Sequence, residues 1–351
     1  MNLRANIIVI GIGLLTACAG SSPSGFPRYD VFPEKKTITA QGISPETVLF
    51  RYPYRVSVRD SIAIVMDLHN ADYFFHAFRY PAWEHITSFG KRGEGPEEML
   101  SAETFQFNSH DSIWALDANR MQLTRWSVSP ASCSAEQHET IDLDKNLVRS
   151  LDFLRTDNGF LVPGYLGECR YWEVDFGGKP VKGMGEIPTE RYKSDNIKPA
   201  LAQAWRSFID YNPHNGVLAL VTQLGEVIEL YNLKEGTHTI LYGPNGEPEF
   251  KASHGESFPT GIMGFSDVQV TDHYVYAIFE GIHFKDKIAA HKRGENLEEG
   301  GHSIYVFDLQ GRPVRQYLVD RPMRGLDVHE ETSTIFATCV ESNEPIIELK
   351  I

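Results

Sequence analysis

The strongest constraint on this chain is a unit of four short strands, plainest between Trp205 and Gly243. Ser207–Tyr211, Val217–Val221, Val227–Tyr231 and Thr237–Tyr242 are runs rich in β-branched and aromatic residues. Asn212-Pro213-His214-Asn215-Gly216 separates the first two, and Asn232 to Gly236 separates the last two. Runs of this length bounded by Gly, Pro and Asn read as strands. Four of them in succession, antiparallel and joined by tight turns, make one blade of a β-propeller.

The unit recurs along the chain. A first blade spans about Arg55 to Gly90, and a second runs from Thr104 to about Leu143. The third begins at Leu151-Asp152-Phe153, the fourth is the unit above, and the fifth begins at Ser266-Asp267-Val268. The sixth holds Leu326-Asp327-Val328, Thr334–Val340 and Pro345–Ile351, then stops one strand short. An open arc would expose two sheet edges to aggregation, so an N-terminal strand is expected to complete the last blade, at Lys35–Ala40. The expected fold is therefore all-β, a six-bladed β-propeller over 35–351 closed by that strand.

Insertions fall on one side of the disc. Connections between strands 2 and 3, and from one blade to the next, share a face; connections 1–2 and 3–4 share the other. Segments 90–102, 187–204, 243–263 and 281–301 are long and all belong to the first face, whereas the 1–2 turns are short. Only 129–138 breaks the pattern. Long loops on a rigid scaffold are where binding concentrates, so the loop-rich face is expected to be functional.

Asp152, Asp210, Asp267 and Asp327 recur at matching inner-strand positions, 58, 57 and 60 residues apart. A bare blade repeats at about 40–45 residues, so each repeat carries inserted loop. Inner strands line the central channel, and a ring of carboxylates there could hold a cation such as calcium. The plainer reading is structural: each Asp accepts backbone N–H groups at a strand start or pairs with a nearby arginine. Arg149, Arg206 and Arg324 stand three or four residues ahead of three of them, and structural ion-pair networks imitate sites.

Gly90-Lys91-Arg92-Gly93-Glu94-Gly95-Pro96-Glu97-Glu98 is the most distinctive local stretch. No strand-then-helix unit with a Gly-Lys-Ser/Thr ending surrounds it, which argues against a phosphate cradle. Its glycines suit a tight crossing between blades, with a short helical turn at Pro96–Glu98; Arg92 and Glu94 could reach a ligand at the rim. His283, His291 and His302 match no compact metal-ligand spacing and read as a solvated charged loop. Neither a Gly-x-Ser-x-Gly elbow nor a His-Glu-x-x-His motif occurs.

The N-terminus addresses the chain. Arg4 precedes an apolar stretch, Ile7–Leu15, too short to cross a bilayer stably, which reads as a signal peptide over 1–17. Its end, Leu15-Thr16-Ala17-Cys18, resembles a bacterial lipobox, and the resemblance implies lipid attachment at Cys18. Residues 18–34 then read as a flexible tether. The formal net charge of −14 argues against nucleic acid. Three further cysteines leave an odd thiol; a Cys133–Cys169 bridge is conceivable.

Taken together, Leu15–Cys18, the Gly90-x-x-Gly93-x-Gly95-Pro96-x-Glu98 stretch and Tyr305-Val306-Phe307-Asp308-x-x-Gly311 resemble the six-bladed, TolB-like propeller lipoproteins of Bacteroidota. The resemblance implies the fold and an envelope location, outer membrane facing the periplasm, and supplies no catalytic residue. The expectation is a non-catalytic module whose loop-rich face binds an envelope protein or peptide, with no obligatory cofactor. Related propellers include calcium-dependent lactonases and lyases, which makes a metal-dependent enzyme the first alternative and glycan or small-ligand binding the second.

Overall fold

The computed structural model describes residues 27–351 apart from positions 46–47, 193, 296 and 341; the expected lipidation site at Cys18 lies outside them. Six sheets follow one another in chain order. Blade 1 comprises Pro53–Arg59, Ile62–Asp67, Tyr73–Arg79 and Glu84–Lys91, and blade 2 Thr104–Ser109, Ser112–Asp117, Gln122–Ser129 and Ser134–Asp142. Blade 3 runs from Leu154 to Met184, blade 4 from Ser207 to Tyr242 and blade 5 from Phe265 to Met323. Blade 6 contributes Leu326–His329, Thr334–Thr338 and Ile346–Lys350. The chain is thus an all-β, six-bladed propeller.

Packing explains the strand sequences. The second strands of blades 1, 2 and 4 (Ile62–Asp67, Ser112–Asp117, Val217–Thr222) are buried at every residue. Each lies in a sheet covered on both faces, which is why they read as continuous apolar runs rather than alternating ones. A buried cluster fills each of the six inter-blade seams. The seam that makes the array a ring joins Phe336 and Ile346 of blade 6 to Val56, Val58 and Phe78 of blade 1.

Outer strands are polar and were harder to read. The segment 129–138, expected as a stray loop, is mostly the hairpin of Gln122–Ser129 with Ser134–Asp142, with a register shift at Gln137/Glu139. Ser134–Asp142 is exposed along most of its length, so it carries no apolar alternation. The fourth strand of blade 3, Pro180–Met184, escapes notice for the same reason.

The closing strand is placed differently from expectation. Glu34–Ile38 runs parallel to the outer strand of blade 5, Pro313–Met323, pairing Glu34 with Arg315 and Ile38 with Val319. Arg315 Nε meets Glu34 Oε2 at 2.7 Å, and Ile38 enters the blade 5–6 core. Ala40 N then donates to Asp320 Oδ1 at 2.9 Å as the chain crosses. It is the next segment, Gln41–Ile43, that pairs antiparallel with Ile346–Lys350 as the fourth strand of blade 6. One short N-terminal stretch therefore covers two sheet edges.

Residues 27–34, expected within the flexible tether, are packed instead. Tyr29 N donates to Tyr242 O, Tyr242 N donates to Pro27 O, and the Tyr29 and Phe32 rings sit edge-on to Phe307 at 5.0 and 5.3 Å. The segment from Pro27 to Ile351 holds every blade and every seam cluster, so it carries the whole core. No disulfide joins Cys133 to Cys169; Cys133 is exposed whereas Cys169 and Cys339 are buried, so the conceivable bridge does not form.

Candidate functional site

The inner strands of the blades surround a cavity of about 1270 Å³ on the ring axis. Each inner strand starts at the loop-rich face and ends in a 1–2 turn. The lining residues include Asp60, His110, Asp157, His214, His273 and Ser333 from those turns, so the cavity opens on the face of short turns.

Four of its wall residues are the recurring aspartates, and their partners show what they do. Asp152 accepts Ile209 N–H at 3.1 Å, Asp210 accepts Val270 N–H at 2.7 Å, Asp267 accepts Leu326 N–H at 2.8 Å and Asp327 accepts Val58 N–H at 2.6 Å. In every case the donor belongs to the inner strand of the next blade. Gln106 and Gln269 make the same reach, to Arg155 N–H at 3.0 Å and Val328 N–H at 2.5 Å. Inner strands of adjacent blades are not paired in one sheet, so their free N–H groups need acceptors; the carboxylates supply them and clasp blade to blade. The structural reading is right in kind, with two corrections. The clasp is to the neighbouring blade, and the expected arginines are elsewhere: Arg149 pairs with Glu256 at 3.2 Å, Arg206 lies over Tyr165 and Arg324 pairs with Glu280. Nor do the four converge as a cation ring: among the described residues no group of three or more His, Cys, Asp or Glu could hold a metal ion.

The clasps leave their mark on the acids. Burial is the main cause that pushes the Asp152 and Asp210 carboxyls up to about 7, against the pull of the N–H donors they accept. Burial also raises Asp267, opposed by Arg55 and by Leu326 N–H. Asp152, Asp210 and Asp267 therefore hold their protons to higher pH than exposed carboxyls do.

The loop-rich end of the channel is closed. The Arg55 guanidinium, 8% exposed, lies 4.3 Å from the Tyr54 ring centre and 4.8 Å from that of Phe208, with Asp267 at 3.5 Å. Arg324 lies 5.7 Å from the Tyr54 ring centre and pairs with Glu280, which Lys287 of the helix Phe284–Lys292 approaches to 3.6 Å. Stacked cations and rings of this kind exclude water. The cavity is consequently a blind pocket, and its floor hangs from the blade 5 insertion.

Its mouth is ringed by histidine–carboxylate pairs that again join consecutive blades. His214 reaches Asp272 at 3.1 Å and His273 reaches Glu330 at 2.9 Å, while His329 meets Asp327 of its own strand at 2.9 Å. Glu330 raises the His273 imidazole, and hydrogen bonds from Asn212 and His214 hold Asp272 below the usual carboxylate range. Nine carboxylates and four arginines line the pocket in all.

The glycine-rich stretch is a folded crossing, not a cradle. Arg92 lies 3.8 Å over the Phe74 ring and donates to Leu68 O, and Glu98 accepts from Lys91 Nζ at 2.6 Å and Gly95 N–H at 3.0 Å. A turn, not a helix, occupies Pro96–Glu97, and Glu94 is exposed on the loop-rich rim, away from the pocket. His302 meets Glu298 at 3.1 Å on the surface, as a solvated loop would.

Sequence reasoning missed the buried carboxylates that tie each crossing down. Asp67 accepts from Arg51, Tyr52, His69 and Asn70 N–H, and Asp117 from Leu100, Ser101 and Arg120 N–H. A signal was present: Met66-Asp67 and Leu116-Asp117 each end a run of at least four apolar residues in the second strand, 50 residues apart. A second cluster sits in blade 1, where Ser88 Oγ lies 2.8 Å from His76 Nδ1 and 3.0 Å from His85 Nε2. Burial holds His76 down to about 4, and its Nε2 has no hydrogen-bond partner, so no carboxylate orients it as a base would require.

A family described as TolB-like 6-blade propeller-like matches residues 31–331, and no curated protein matches by sequence. Among solved structures, a DUF4221 family member from Bacteroides vulgatus superposes with a TM-score of 0.59 at 9% identity, covering 89% of this chain and 97% of its own. A Bacteroides fragilis protein described as exported gives 0.55 at 10%, covering 92% and 98%. A catalytically inactive virginiamycin B lyase from Staphylococcus aureus, with quinupristin, gives 0.52 at 10%, covering 90% and 99%. At such identities the likeness is one of fold. The family match, spanning blade 1 into blade 6, supplies the identity: this chain belongs to the TolB-like six-bladed propeller family.

Proposed function

We propose that this protein is a non-catalytic binding module of the cell envelope that takes a cationic ligand, or the basic tip of a protein, into its blind axial pocket. The observation that carries the reading is the pocket itself: a deep concavity on the ring axis, closed at one end, with carboxylates outnumbering arginines on its wall. Concave sites with a few convergent polar groups are where ligands bind, and an excess of one charge focuses the field on the opposite one. The Leu15–Cys18 motif and the description of the Bacteroides fragilis neighbour as exported support the envelope location. The clasping role of the aspartates weighs against the calcium-dependent enzyme reading, because their oxygens already serve backbone N–H groups.

Calorimetric titration of residues 27–351 with tetralysine and with tetraglutamate tests this. Tetralysine is expected to bind, to weaken with salt, and to release protons at pH 7 as it displaces them from Asp152 and Asp210. Asp327→Asn should weaken it several-fold. Equal binding of both peptides, or of neither, sinks the proposal.

A further inference from the structure

Eleven large apolar side chains stand exposed among the described residues, and they are unevenly placed. Val31 lies in the N-terminal segment, Val181 and Leu318 on the fourth strands of blades 3 and 5, and Phe176 in a short turn. The other seven all come from connections on the loop-rich face. Leu49, Leu100 and Val148 sit in the crossings into blades 1, 2 and 3, and Leu166 in the 2–3 loop of blade 3. Phe258 lies on the hairpin Phe250–Ser253/Glu256–Pro259 between blades 4 and 5, and Ile288 and Leu297 on the blade 5 insertion.

We infer that the loop-rich face seats on a lipid surface, with these side chains entering the headgroup layer. Three observations favour a bilayer over a protein partner. First, the apolar tips are distributed singly over several connections of one face, one or two to a connection, whereas protein interfaces gather their anchors in a compact centre. Second, the chain enters the disc at this face: Pro27 O accepts from Tyr242 N–H, the last residue of the outer strand Thr237–Tyr242 of blade 4. Between Cys18 and Pro27 an extended chain reaches about 30 Å at most, and a six-residue strand is about 20 Å tall. Seating by the opposite face would use most of that reach; seating by this face uses little. Third, the channel is closed at this end, so contact here leaves the pocket mouth facing away from the membrane and open to its ligand.

Carboxylates are numerous in the same loops, among them Glu94, Glu97, Asp144, Glu249, Glu256 and Glu295. The contact is therefore driven by apolar insertion and not by attraction to anionic headgroups. The inference rests on the envelope location proposed above; its second observation also takes lipid attachment at Cys18, and only its third takes the pocket.

Flotation with phosphatidylethanolamine/phosphatidylcholine vesicles, using residues 27–351, tests it. The protein is expected to float at 0.1 and 0.5 M salt alike, and less well when phosphatidylglycerol is added. Leu100→Asp, Phe258→Asp and Ile288→Asp combined should lower partitioning by about tenfold or more, while Phe176→Asp with Val181→Asp leaves it unchanged. Equal melting temperatures show that both variants fold. A protein that stays with the aqueous fraction overturns the inference. So does equal loss in both variants, or sedimentation as a dimer that the first variant dissociates.

Discussion

Asp210→Asn should stabilise this protein at pH 8 and do nothing at pH 4. Burial first, then the nearby Asp267 and Asp327 carboxylates, raises the Asp210 carboxyl from its ordinary 3.8 to about 7, against the Val270 and Tyr211 N–H groups. The folded state therefore holds this proton more firmly than the unfolded chain does, and stability falls as pH rises from about 4 to about 7. Three pKa units correspond to about 4 kcal/mol; Asp210 stands on an open channel wall, and solvent screening there reduces this to about 2–3 kcal/mol. Asparagine keeps an oxygen for Val270 N–H, so the clasp survives while the charge is gone. For a body of this size the melting temperature moves about 1.5 °C per kcal/mol, a rise of about 3–5 °C at pH 8. Urea unfolding of both proteins at pH 4, 6 and 8 reads the difference directly. A variant less stable at pH 8, or a difference that does not change with pH, would refute the account of the clasps as buried, proton-hungry acids.

Arg170→Met removes the guanidinium that lies 2.7 Å from the wholly buried Glu229, leaving that carboxylate with Tyr231 Oη and His238, and removes donors to Trp205 O and Ser207 Oγ. The expected cost is about 3–5 kcal/mol, most of it recovered by adding Glu229→Leu; denaturant melts in which the double variant is as weak as the single one contradict this. Removing residues 27–43 strips Tyr29 and Phe32 from the blade 4–5 seam and bares the edges of blades 5 and 6, so size-exclusion chromatography should show aggregation, and a clean monomer would count against the edge-covering role. Gly159→Ala should destabilise by several kcal/mol, since φ is +147° and an added Cβ would lie 2.0 Å from Val174 O; a melting temperature within a degree of the parent argues otherwise. In residues 27–351, a thiol reagent should titrate Cys133 quickly and Cys169 and Cys339 only on unfolding, because burial raises Cys169 to about 11 and hides both; three fast thiols would contradict that.

The candidate site was only partly legible before the fold was known. Asp152, Asp210, Asp267 and Asp327 are visible as a periodic set because a repeat puts equivalent residues at nearly equal spacing. Their acceptor role is legible too, but not that the donor is the next blade, because that N–H lies nearly sixty residues away. Arg55 gives no signal at all, since it stands outside the periodic set and meets Tyr54, Phe208 and Asp267 only when blades 1, 4 and 5 converge on the axis. The loop-rich face could be read from insertion lengths, whereas the pocket's opening on the opposite face could not.

By itself the sequence determined the blades: where the buried inner and middle strands lie, how many blades follow one another, and on which side the long connections lie. These follow from apolar runs and turn residues acting over a few positions, and buried strands announce themselves most clearly. Only the tertiary structure decided that Glu34–Ile38 covers blade 5 while Gln41–Ile43 completes blade 6, that Tyr29 and Phe32 enter the core, and that one end of the channel is closed. Polar edge strands carry no alternation that singles out one partner edge, and a channel floor is built from residues that meet only once the ring has closed.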